Sequence, residues 1–242
     1  MLWRTVVFLL VVAAAAAATF SMHGGQGRLR TAGLFPVAPA VETSSPEVTE
    51  SPPAAPQWPA FAVARDVQLF LPVAEPVAIT YHEASFQNAL ALRPLGHVVR
   101  NANKWKFDSP PRTPGPGYIV MSSRGRDTPA TSATDVVLRK STPFRSPVTG
   151  EVVEVREYHL YCRYVDEEVK IRPDGGHGVS VVMIHLRGLQ VRPGDRVFAT
   201  LSVIGYARVF PFRSQVDDYV LGGNPHVHIE ITRPHQARRA TC

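Results

Sequence analysis

Between Tyr118 and Pro234 no stretch carries the 3.6-residue apolar period of an amphipathic helix. Short runs rich in β-branched residues recur instead: Tyr118–Met121, Val136–Leu138, Val152–Arg156, Val169–Arg172, Val179–Leu186 and Val203–Ala207. Turn chemistry separates them. Pro173-Asp174-Gly175-Gly176 predicts a hairpin turn, and Pro193-Gly194-Asp195 predicts another turn. A chain patterned this way buries its apolar faces by laying sheet on sheet, so the fold class is all-β, an antiparallel sheet or sandwich over residues 118–236.

The last apolar stretch, Pro225-His226-Val227-His228-Ile229-Glu230-Ile231, carries the most chemistry. Proline is tolerated at a strand start, and Val227, Ile229 and Ile231 alternate with polar residues. The alternation puts His226, His228 and Glu230 on one face. Imidazoles two residues apart on a strand sit about 6–7 Å apart at the backbone. That spacing suits one histidine on a metal and the other turned toward water or substrate. Two solvent-facing histidines on a half-buried strand is the plainer alternative.

Upstream, the chain divides by composition. Arg4 precedes an apolar run from Val6 to Phe20 that is short for a membrane span. Residues 1–23 therefore predict an export signal or an uncleaved N-terminal anchor. That places the rest outside the cytoplasm, secreted, wall-associated or tethered to the membrane only through this segment. Residues 24–60, rich in Pro, Ala and Ser, predict a disordered linker. Residues 61–117 predict an N-terminal extension packed on the main domain. Within it we expect a strand at Val67–Phe70, a short helix from Glu83 to Leu92, an exposed loop at Asn101–Lys106 and a Pro/Gly-rich linker up to Gly117. Residues 237–242 form a tail.

Net charge is +6, nearly all of the basic residues being arginine. Such a surface attracts polyanions. No helix-turn-helix, zinc-finger or RNA-binding aromatic motif accompanies it, which argues against a nucleic-acid partner. Cys162 and Cys242 are the two cysteines, and the sequence leaves their pairing open.

Four patterns then fall in a fixed order: Asp135; Ser146-Pro147-Val148-Thr149-Gly150-Glu151-Val152; His185-Leu186 with Pro193-Gly194-Asp195-Arg196-Val197; and Pro225-His226-Val227-His228. Together they resemble the lysostaphin-type (LytM-like) zinc peptidases, which cut cross-linking peptides in bacterial peptidoglycan. The resemblance spans roughly Thr131 to Thr232. It implies zinc as cofactor, Asp135 and His228 as ligands, and His226 and His185 as catalytic histidines. Glu230 would sit behind a histidine and orient it. The family's first ligand is a histidine four residues before the aspartate, and here that position is Thr131. A catalytic zinc usually takes three protein ligands. His82, on the extension, is the best substitute, since family members can carry an N-terminal segment that reaches the metal. Simple alternation makes a different statement about His185, putting it on the same face as Met183 and Val181, where it would be a core histidine.

Two functions follow. One is an exported zinc endopeptidase acting on peptidoglycan peptides. The other is a degenerate module of the same fold that binds peptidoglycan or regulates another cell-wall hydrolase.

Overall fold

In chain order the strands are β1 (Ala60–Ala64), β2 (Val67–Phe70), β3 (Ala78–His82), β4 (Arg93–Pro94), β5 (His97–Val98), β6 (Gly117–Val120) and β7 (Ala133–Val137). They continue with β8 (Pro143–Arg145), β9 (Gly150–Leu160), β10 (Tyr164–Pro173), β11 (Ser180–Arg187), β12 (Arg196–Val197), β13 (Val203–Ala207) and β14 (His226–Thr232). One 3-10 turn, Gln215–Asp218, precedes β14. These elements come from a computed structural model that describes residues 55–99 and 116–234. The export segment, the tether up to residue 54, the Asn101–Lys106 loop, most of the linker that follows it and the C-terminal tail lie outside the described residues. None of the described helices is long and apolar enough to cross a membrane.

The architecture is all-β and mostly antiparallel. A large sheet runs β12-β9-β10-β11-β14-β7-β3-β6-β5, with β13 joined to β11 and β8, and β2-β1-β4 form a separate sheet. Two pairings, β3 with β6 and β5 with β6, are parallel. Long β9 and β10 form a hairpin joined by cross-strand ion pairs, Lys170 to Glu154 at 2.7 Å and Arg156 to the buried Glu168 at 2.8 Å. Gly150 is required at the start of β9, because a Cβ there would sit 2.3 Å from the Arg172 carbonyl oxygen.

One core unites the two sheets. Val227, Ile229 and Ile231 of β14, Val136 of β7, Ile79 and Tyr81 of β3, and Val181 and Met183 of β11 all point into it with Phe61 and Leu69. Each such aliphatic side chain contributes about 1.5–3 kcal/mol by burial. The opposite face of β14 carries His226, His228 and Glu230, with Asp135 of β7 and His82 of β3 beside them, and this is where the site forms.

The expected helix from Glu83 to Leu92 is absent; turns and one isolated bridge, Ala89 to Thr232, replace it. The reason is where the backbone groups go. Leu90 N–H donates to the Ile231 carbonyl and Leu92 N–H to the Thr131 carbonyl, so the segment is stitched to its neighbours instead of to itself.

Candidate metal centre

Register places three donor residues together. In β3, Thr80 pairs with Asp135 and His82 with Ala133; in β14, His228 pairs with Asp135. Paired and alternate residues share a face, so His82, Asp135 and His228 converge from three adjacent strands. Their donor atoms all lie within 4.8 Å of one another, and all three residues are buried. Asp135 Oδ2 is 3.1 Å from His82 Nε2, and Oδ1 is 2.8 Å from His228 Nδ1.

The far nitrogen of each imidazole shows how the ring is set. His82 Nδ1 donates to the Glu83 carbonyl at 2.8 Å, which leaves the lone pair of the buried Nε2 facing Asp135 Oδ2 at 3.1 Å. His228 Nε2 lies 2.7 Å from Glu230 Oε1, which also accepts the Ser85 N–H, so Nδ1 turns to Asp135. Outer hydrogen bonds to a carbonyl and a carboxylate are what fix the tautomer of a metal-binding histidine. Two nitrogens and a carboxylate suit zinc, whose tetrahedral donors stand about 3.4 Å apart for bonds near 2.1 Å. The residues present therefore fit a zinc ion, with the lone pair of His82 Nε2 set against a carboxylate oxygen as the specific sign.

Thr131 sits outside this cluster. Its hydroxyl donates to the Leu92 carbonyl at 2.7 Å, ahead of β7.

His226 lies beside the cluster. Its Nε2 is 4.0 Å from Asp135 Oδ2, and its Nδ1 is buried without a partner. Burial pushes the imidazole down to about 4 against the pull of Asp135, so the ring is neutral at physiological pH. Burial also opposes charge on His228, but the bonds to Asp135 and Glu230 outweigh it and raise that pKa. Burial would raise the Asp135 carboxyl; the surrounding histidines reverse this and hold it well below the ordinary range.

His185 corrects the alternation argument. Val182 and Ile184 lie on the site face of β11, where Ile184 pairs with His228, so the next residue should point into the core. It does not. The register against β10 slips between Glu167 and Val169, and His185 takes φ +68°. This is a β-bulge with its extra residue in the left-handed region, which re-aims one side chain. The His185 ring then stands 5.4 Å from that of His226 and 5.9 Å from that of His228, centre to centre. A left-handed non-glycine residue costs about 1–2 kcal/mol. We accordingly expect His185→Gly to be more stable than His185→Ala by about 1 kcal/mol in denaturant unfolding, the reverse of the usual glycine penalty in a strand. Equal stability of the two variants would contradict the bulge.

Two residues outside the motif patterns hold His185. Asp166, fully buried on β10, accepts from His185 Nδ1–H at 2.7 Å and from the Tyr158 hydroxyl at 2.7 Å. The bond to Nδ1 leaves Nε2 as the nitrogen that exchanges protons. Burial lowers the His185 pKa, with Asp166 acting against it. The signal in the sequence was the acidic triplet Asp166-Glu167-Glu168 inside a strand, where such residues are depleted unless partnered.

Asp135 and His228 of the cluster, with His185 and His226, line a cleft of about 350 Å³, and His82 lies buried behind them. Phe210 packs edge-on against both His185 and His226 and stacks on Phe212, making one wall aromatic.

No family model and no curated protein matches this sequence. Among solved structures the chain is similar to lysostaphin in solution, at 17% identity and TM-score 0.34 over 46% of this chain and 40% of that one. It is similar to LytU at 23% identity and TM-score 0.35, over 46% of this chain and 66% of that one. It is also similar to a mutant catalytic domain of the prophage-encoded protein EnpA from Enterococcus faecalis, at 18% identity and TM-score 0.34, over 47% and 76%. The chain thus spans two fifths of the lysostaphin chain and just under two thirds of that of LytU. Its chemistry is argued below from its own residues.

Proposed function

We propose that this chain is an exported, zinc-dependent endopeptidase that hydrolyses peptide bonds in peptidoglycan. The observation that carries the reading is the buried triad His82, Asp135 and His228, with donor atoms within 4.8 Å of one another and His82 Nε2 turned toward the carboxylate at 3.1 Å. His82 stands in for the ligand that Thr131 does not supply. A zinc ion held by these residues would polarise the scissile carbonyl and bring the pKa of a water molecule to near 7.

The chain's own residues do the rest. His226, neutral and with an unpartnered nitrogen, accepts a proton from the attacking water. His185, its Nδ1–H held by Asp166, presents an unprotonated Nε2 that orients the attacking water, and the proton taken up by His226 passes to the departing amine as the peptide bond breaks. Phe210 shields both rings from water on one side. The buried surroundings strengthen each of these contacts.

The test is zinc titration of the purified, chelator-stripped chain in parallel with digestion of purified peptidoglycan. We expect one zinc per chain and zinc-dependent appearance of new amino termini. A protein that grips wall fragments but neither holds zinc nor cuts them is instead the binding module that regulates another wall hydrolase.

A further inference from the structure

Two arginines line the same cleft and are not used by the chemistry above. Arg124 and Arg126 come from the loop after β6, and both are half-buried. The loop is built to hold them. Glu83, next to His82, accepts from the Ser123 hydroxyl at 2.5 Å and from the backbone N–H groups of Arg124 and Arg126 at 2.9 Å each. Arg126 Nη1 donates to the Glu83 carbonyl and to Ser85 Oγ, and Arg124 Nε donates to Gln215 Oε1. One carboxylate therefore fixes both the metal-side strand end and the two cations.

Neither guanidinium has a carboxylate within ion-pair distance among the described residues. Asp135 is the one acid lining the cleft, and three histidines surround it. Burial draws the Arg124 guanidinium below its ordinary range, with Asp135 acting in the other direction. Half-buried arginines carry five donors each in a planar fork suited to carboxylates, and here their bonds go to neutral groups. Glu83 attracts both side chains from the backbone side of the loop without pairing with either guanidinium, so a partly desolvated fork lining the cleft costs free energy that an incoming anion recovers.

We propose that Arg124 and Arg126 form a carboxylate-binding subsite, and that the cleft selects peptides bearing a free carboxylate beside the bond to be cut. This rests on the reading above for the kind of substrate and narrows it. Neutral bridges made of glycine offer nothing to the two arginines, whereas stem peptides with an unamidated acid group do. The aromatic wall takes the apolar side of the same peptide.

The experiment separates binding from cleavage. A matched pair of soluble muropeptides, one with free carboxylates and one with the same groups converted to carboxamides, is titrated calorimetrically into the full-length, metal-stripped chain. Hydrolysis of both by the zinc-loaded chain is measured alongside. The free acid should bind about 10- to 100-fold more tightly than the amide, the range for one or two charge-assisted hydrogen bonds. The preference should shrink in high salt. In Arg124→Gln and Arg126→Gln the acid-to-amide ratio should fall toward one. Arg126→Lys, which keeps the charge but loses the fork, should retain an intermediate ratio. Equal affinity of the wild type for acid and amide, or affinity for neither, overturns the subsite whatever the variants do. Preferential binding of the acid without any cleavage supports the subsite while removing the peptidase reading. Cleavage of both forms at one rate with equal affinity does the opposite.

Discussion

Replacing His82 by alanine is expected to strip the site of zinc as thoroughly as replacing His228. Both rings are buried, both have their outer nitrogen tied, to the Glu83 carbonyl and to Glu230, and both turn the inner nitrogen to Asp135. Loss of an outer partner typically lowers metal affinity 10- to 100-fold. Loss of a direct ligand should exceed that, so we expect a fall of more than about 100-fold in each variant relative to wild type. Circular dichroism should show the sheet retained, because the apolar face of β3 still packs through Ile79 and Tyr81. Thr131→His should not rescue His82→Ala, since residue 131 is turned to the Leu92 carbonyl. Zinc bound tightly by His82→Ala, measured by competition with a chromogenic chelator, would remove His82 from the ligand set.

The second large effect is expected at His226, with the opposite signature. This ring touches the cluster only at 4.0 Å from Asp135 and has a buried nitrogen with no partner. His226→Ala should keep zinc affinity within about tenfold of wild type, less than the loss of a direct ligand. Peptidoglycan hydrolysis should drop by about 10²- to 10⁴-fold, the span of one acid–base group. A variant that lost metal and activity together would make His226 a ligand; one that lost neither would take it out of the mechanism.

The sequence carried the strands well because their signal is local. Val203–Ala207 is a strand with those bounds, and the runs beginning at Val152 and Val169 lie within the longer β9 and β10. Period-2 patterning reports which residues alternate, and on β14 nothing interrupts it. The face shared by His226, His228 and Glu230 was therefore readable from seven residues. His185 was not readable in the same way. A bulge adds one residue and reverses every later assignment of faces, and it leaves no mark in the alternation itself. Asp166 and Tyr158 act through it and were hidden with it. The segment from Glu83 to Leu92 failed for another reason. Helical spacing over ten residues is weak when the backbone groups have better partners on β14 and at Thr131. Nothing in the sequence singles out Arg124 and Arg126, because their placement depends on a carboxylate about forty residues away in the chain.

The position of β3 bears on how this protein can be cut into pieces. β3 lies between β7 and β6, and it carries His82 at its end. A fragment beginning at Gly117, where the recognisable motifs have yet to start, would look like a self-contained module on paper. It would lack one donor of the triad and would leave the hydrogen-bonding edge of β7 bare along its whole length, an invitation to pair with another chain. The minimal unit for expression, or for a domain swap between relatives, therefore begins before Ala60, and motif boundaries are a poor guide to where the scissors go.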